Sequence, residues 1–189
     1  MSVIKNSIIY LSASILSKGA PFLLLPFLTS HLEPIEFGLL TVFLVMHSLY
    51  GALVGMAMHT NIAKNFFKKS KRKLALITGN VFIILISTTL FYCIITLILA
   101  SLNAFFFSIP SIYLLMLPFL AFLAMVNQIH LAVLRNEGRA YTFGAFEVAN
   151  AFMSVAITLI LLIYIDMGWL SQVIGIGSAS LVLSIIGVG

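Results

Sequence analysis

Residues 81–100 read VFIILISTTLFYCIITLILA, twenty in a row without a charged side chain. A helix crossing a hydrocarbon layer about 30 Å thick needs about 20 mostly apolar residues, each adding about 1.5 Å. This stretch meets that length alone. Within lipid an α-helix satisfies its own backbone N–H and C=O groups, so the run is expected to be a spanning helix. It forms the centre of a longer apolar block over 74–101.

Five more blocks of similar length flank it, at 8–29, 38–60, 112–134, 142–165 and 169–189. Over the whole chain 62% of residues are hydrophobic, 8% are charged, and the mean hydropathy is +1.19. A soluble domain needs a charged exterior that this composition cannot supply. The expected fold class is therefore all-α integral membrane, with six transmembrane helices forming a single six-helix lobe over residues 1–189. Lys5 followed by the apolar 8–16 has the outline of a secretory signal. However, the apolar run resumes beyond Lys18, no small-x-small cleavage site follows, and further spans follow directly, so the segment reads as the first span.

The net charge of +5 would suggest nucleic acid in a soluble protein. Here six of the ten basic residues lie in KNFFKKSKRK, Lys64 to Lys73. That cluster reads as a topology signal or a patch against anionic lipid heads, with no nucleic-acid partner. Arg135 and Arg139 lie in RNEGR, whereas SHLEPIEF and IDMGW carry only Glu33, Glu36 and Asp166. An N-terminus in the cytoplasm puts nine of the ten basic residues inside and none outside, the tenth being Lys18. Tyr113, Tyr164 and Trp169 then fall at the outer interface. Cys93 is the only cysteine, so no disulfide framework or Cys-based metal site is expected. His31, His47, His59 and His130 are scattered without a companion carboxylate at ligand spacing, so neither a metal nor a cofactor is expected.

Polar residues fall on stripes. On the first span Ser7, Tyr10, Ser14, Lys18 and Pro21 follow steps of three and four, which is one helical face. Thr41, Ser48, Gly51, Gly55 and His59 do so on the second, with Gly51 and Gly55 as a GxxxG pair that lets helices approach closely. Asn127, Gln128 and His130 gather on the fourth; Glu147, Asn150, Ser154 and Thr158 form the fifth span's stripe. Most such positions read as packing seams. Lys18 is different, because a charge at a helix centre costs about 2.5–3.5 kcal/mol on insertion scales. It calls for a water-filled cavity, a bound anion, or a partner such as Glu147, the other ionisable group well inside a span. Pro21 and Pro26 remove backbone donors nearby and are expected to bend the helix.

LSKGAPFLLLPFLTSHLEPIEFGLLTVF resembles the opening of bacterial polysaccharide exporters of the multidrug/oligosaccharidyl-lipid/polysaccharide superfamily, with LEPIEFG at Leu32–Gly38 matching an L-x-P-x-E-[FY]-G outer loop. LRNEGRAYTFGAFEVANAFMSVAITLILL resembles that family's link between its fourth and fifth helices. The resemblance implies a flippase in the bacterial cytoplasmic (inner) membrane, not an enzyme. Its partners would be the lipid bilayer and a lipid-linked oligosaccharide, such as an O-antigen or capsule unit on undecaprenyl pyrophosphate. Two six-helix lobes would alternate access around a cationic cavity. This chain would be the first lobe and would need a C-terminal lobe or other polysaccharide-assembly membrane proteins. The candidate substrate-binding residues are Lys18, Ser14 and Tyr10 on the first span and Glu147 and Asn150 on the fifth. A cation-coupled drug exporter of the same superfamily, a membrane polymerase or ligase, and a non-transporting structural subunit are the competing readings.

Overall fold

The computed structural model describes residues 3–56, 58–66, 71–101 and 109–188. Lys68 and Lys69 of the basic cluster, most of the 102–110 link and the side chain of His59 lie outside the described residues. Among the described residues the chain is helical with no strand. The elements are α1 (Val3–Gly19), a 3-10 turn (Ala20–Leu23), α2 (Leu25–His31), α3 (Pro34–Gly55), α4 (Met58–Phe66), α5 (Lys71–Ser101), α6 (Ser111–Leu114), α7 (Met116–Asn136), α8 (Ala140–Ile163) and α9 (Leu170–Val188). Six segments are long and apolar enough to cross a membrane: Ile4–His31, Pro34–Gly55, Arg72–Ser101, Ile112–Asn136, Ala140–Ile163 and Leu170–Gly187. The protein is an all-α membrane protein with six such helices, as the apolar blocks indicate.

The ends of these helices follow local chemistry. Pro34 opens α3, where a missing N–H costs nothing, and Phe37 N–H donates to the Glu33 carbonyl at 3.0 Å. Glu36 reaches back to accept the Glu33 N–H at 3.4 Å, the reciprocal arm of a capping box. The EPIE of LEPIEFG is thus a helix start. The RNEGR turn is a helix stop. Gly138 takes φ +71, its N–H donates to Arg135 O at 3.1 Å, and the Arg139 N–H donates to Leu134 O at 3.0 Å. These two bonds form a Schellman cap on α7, with glycine at the left-handed position.

Two spans differ in detail from the expected pattern. In the first, Pro21 and Pro26 each stand at the start of a short helical element, the 3-10 turn and α2. Gly19 and Leu24 keep right-handed helical angles, and Leu24 N–H donates to Pro21 O at 3.1 Å. The span is therefore interrupted at both prolines by a tightened 3-10 turn, where one continuous apolar helix could have run. In the second, the helix expected over 38–60 stops at Gly55. Met56 turns to φ +42, and the chain restarts as α4 at Met58.

The chain divides into two compact units. One comprises residues 1–40 and 133–189, the other residues 41–132. In the first unit α8 is central: α1, the 3-10 turn, α2 and α9 all pack on it. Phe143, Leu162, Trp169, Val173 and Ala179 are buried in this unit. Gly144 lets α1 approach α8, since a Cβ there would lie 3.3 Å from the Ala13 Cβ. Gly175 brings α9 against α8 more closely still: a Cβ there would overlap the Thr158 hydroxyl and sit 2.9 Å from the Ser154 carbonyl. In the second unit α5 contacts α4 and α6, and Phe43, Val54, Ile62, Leu85 and Leu117 are buried. Tyr50 Oη lies 2.7 Å from Thr96 Oγ1, and the Thr88 hydroxyl lies 3.0 Å from the Val54 carbonyl.

Candidate functional site

The polar stripe of α1 meets that of α8 inside the first unit. Ser14 and Ser17 lie three residues apart on α1, nearly one helical turn, so both hydroxyls can face one neighbour. That neighbour is Glu147, seven residues into α8. Ser14 Oγ is 3.2 Å from each carboxylate oxygen, and Ser17 Oγ is 3.1 Å from Oε1. Ser17 Oγ also lies 3.2 Å from the Ser14 carbonyl. Each hydroxyl has one proton, so Ser14 shares its proton between two oxygens and Ser17 divides its own between Glu147 and its own helix. Hydroxyl bonds to an ionised carboxylate are typically about 2.5–2.7 Å, so these are long. Glu147 is half-buried and held by neutral donors in a segment able to span the bilayer.

The other candidate residues fall elsewhere. Lys18 is exposed and makes no ion pair with Glu147 or any other residue among those described. It stands at the end of α1, fourteen residues from Ile4 and thirteen from His31, the middle of its span. By helical phase it shares a side with Leu11 and Ile15, which are 63% and 62% exposed, while Ser14 turns toward α8. Lys18 and Ser14 thus do not form one polar face. Tyr10 does not join the serine–glutamate cluster. Its hydroxyl donates to the Arg135 carbonyl at 3.4 Å, and its ring stands edge-on to Phe143 with centroids 5.0 Å apart. Asn150, one turn beyond Glu147, is half-buried and makes no hydrogen bond through its side chain to the described residues. Among those residues no group of three His, Cys, Asp or Glu gathers as a metal would require.

Sequence spacing overlooked Ser17. The steps of three and four ran from Ser14 to Lys18 and passed over the serine at the intervening position, although Ser14 to Ser17 is an equally good step. Of the GxxxG pair, one glycine makes a close contact and the other does not. Gly51 of the GxxxG pair has nothing within 4 Å of where a Cβ would be, and only Gly55 lies against a neighbour, the end of the flexible Met125. In the first unit the helix-on-helix approaches made by glycine are at Gly144 and Gly175, neither in a GxxxG pair.

No protein-family profile matches the chain, and no solved structure matches it. Two relatives, both from Haemophilus influenzae, match part of it. An uncharacterised membrane protein is 36% identical over 77 residues, which is 41% of this chain and 19% of the relative. Lsg locus protein 1 is 35% identical over 79 residues, 42% of this chain and 20% of the relative. The matched part thus spans about a fifth of each relative, and each is roughly twice as long as this chain.

Proposed function

We propose that this chain forms one lobe of an exporter that flips a lipid-linked oligosaccharide across the bacterial cytoplasmic membrane, with the N-terminus in the cytoplasm. The observation that carries this reading is Lys18: a cation in the middle of a span, exposed and without an ion-pair partner among the described residues. A lipid pyrophosphate passing that depth is an anion needing a counter-charge, and the amine needs one equally. A lysine suits transient contact better than an arginine, whose rigid bidentate fork holds phosphate more firmly. A second lobe would close the cavity, and the roughly doubled length of the two relatives is compatible with that.

The test is export of the glycan in a flippase-deficient strain that expresses the gene in its native context. Lys18→Gln should insert normally and lose most export, and Lys18→Arg should keep part of it. Wild-type export by Lys18→Gln would remove the basis of the reading. The Glu147 cluster favours a second reading, a cation-coupled exporter of the same superfamily, because its carboxylate is neutralised by no internal cation among the described residues. Loss of export in Glu147→Gln together with normal export in Lys18→Gln would favour that alternative.

A further inference from the structure

A groove of about 300 Å³ runs along the contact between α1 and α8, on the flank of α1 away from Lys18. Its floor is made of small side chains, Ser12, Ala13, Gly144 and Ala145, and its inner end is walled by Leu16 and Val148. The Ser12 hydroxyl is satisfied by its own helix, 2.9 Å from the Ile8 carbonyl and 3.1 Å from that of Ile9, so the lining is apolar. At its other end the groove is bounded by Tyr141, and the Lys5 ammonium stands 5.7 Å from that ring's centroid. Asn6 donates to the Gly138 carbonyl at 3.5 Å, which brings this end of α1 to the turn that carries Arg139. Lys5, Arg135 and Arg139 therefore gather at one end of the unit, with Glu137 the only acid in that turn, 3.6 Å from Arg139.

We infer that this groove holds one chain of an anionic phospholipid, with its phosphate at Lys5 and Tyr141. Lys5 to Leu16 is eleven residues, roughly 16 Å of helix. That is about half of a 30 Å hydrocarbon core, the depth of one leaflet. The groove thus has a cation at the interface, an amphipathic ring beside it and, from Ile9 to Leu16, an apolar slot of roughly 10 Å whose far end lies at the depth of one leaflet from that cation, in the order that a phospholipid presents phosphate, glycerol and acyl chain. One phosphate against the Lys5 ammonium and one chain in a slot of about 300 Å³ are what a bilayer phospholipid supplies, and it is the abundant lipid around any span, so the occupant is a bilayer phospholipid. The inference is independent of the transport reading, because it concerns the opposite flank of α1 from Lys18.

The experiment reconstitutes the full chain into phosphatidylcholine vesicles with or without phosphatidylglycerol. The protein is then released into mild detergent, and the retained lipid is counted by native mass spectrometry. Phosphatidylglycerol should be retained in preference to phosphatidylcholine. Lys5→Gln should lower its retention about fivefold, the weight of one basic side chain at an anionic lipid surface. Ser12→Phe fills the slot from α1 without touching the charge and should remove the bound lipid. Ala145→Phe does the same from α8, so misfolding of one variant, seen as lost helical circular dichroism, leaves the other as the test. Equal retention of the two lipids, or retention unchanged in Lys5→Gln and in the folded filling variants, overturns the inference. So does disulfide cross-linking of Ser12→Cys between two chains in the bilayer, which would assign the slot to a second copy.

Discussion

Gly175→Ala isolates the closest helix contact in the first unit. Helix propensity alone would favour the change by about 0.8–1 kcal/mol, because glycine is the poorer helix former. Packing opposes it. The added Cβ would overlap the Thr158 hydroxyl and lie 2.9 Å from Ser154 O and 3.1 Å from Thr158 N. Two of these three atoms are backbone and cannot rotate away, so α9 must separate from α8. Overpacking of this kind costs about 1–3 kcal/mol. The clash wins by about 1 kcal/mol, and for a chain of this length that is a fall of about 2–4 °C in Tm. The assay is thermal unfolding in detergent, followed by fluorescence-detected size-exclusion. Gly51→Ala is the matched control, since nothing lies within 4 Å of its Cβ position, and its Tm should stay level or rise. Thr158→Ala should not rescue Gly175→Ala, because the backbone atoms remain. A Gly175→Ala protein as stable as wild type, or full rescue by Thr158→Ala, would refute the argument.

Three further outcomes are expected. Thiol labelling from outside intact cells should reach a cysteine introduced at Glu36 but not one at Lys69; the reverse pattern would invert the charge argument for an inside N-terminus. Gly138→Ala should cost about 1–2 kcal/mol in the same unfolding assay, because φ +71 suits glycine, and Gly138→Asn should cost less. Tyr50→Phe should cost about 0.6 kcal/mol, the mean for a polar contact between membrane helices, and stay below about 1.7 kcal/mol. Thr96 Oγ1 keeps the Tyr92 carbonyl 2.7 Å away in that variant, so a larger loss would mean that the Tyr50 hydroxyl holds more than Thr96.

The spans were legible because the bilayer imposes one requirement that composition reports directly. Twenty uncharged, mostly apolar residues have few other fates, so Val81–Ala100 could be placed from hydropathy alone. Hydropathy set the second span's start at 38 and the fourth's end at 134, whereas the turn chemistry of Pro34 and Gly138 sets the helix ends a few residues further out. What hydropathy could not carry was the direction each polar side chain takes. Lys18 and Ser14 are four apart and look like one face, yet a step of four advances 400°, leaving Lys18 about 40° past Ser14. Ser14 meets Glu147 and Lys18 lies beyond the edge of the contact, so a small angular drift separates a held serine from an exposed cation. Ser17 falls back by about 60° toward α8, and it donates to Glu147 where the lysine does not reach.

The second span shows the same limit in the backbone. Its apolar run continues through GMAMHT, so hydropathy extends the helix to residue 60, but the chain leaves the helix at Met56 with φ +42. A left-handed residue there would be expected to be glycine, and one stands immediately before it. Gly55 keeps its place in the helix, where its missing side chain makes room for Met125. Close approach and reversal fall at adjacent positions; glycine serves the first and methionine carries the second. Met56→Gly should therefore stabilise the chain, since it relieves the left-handed strain of about 1–2 kcal/mol without altering the Met125 contact. Gly55→Leu should destabilise it by displacing Met125 from a buried site. Both read out as Tm. If Met56→Gly proved neutral or worse, the turn at that position would be held by side-chain packing and not by the backbone alone.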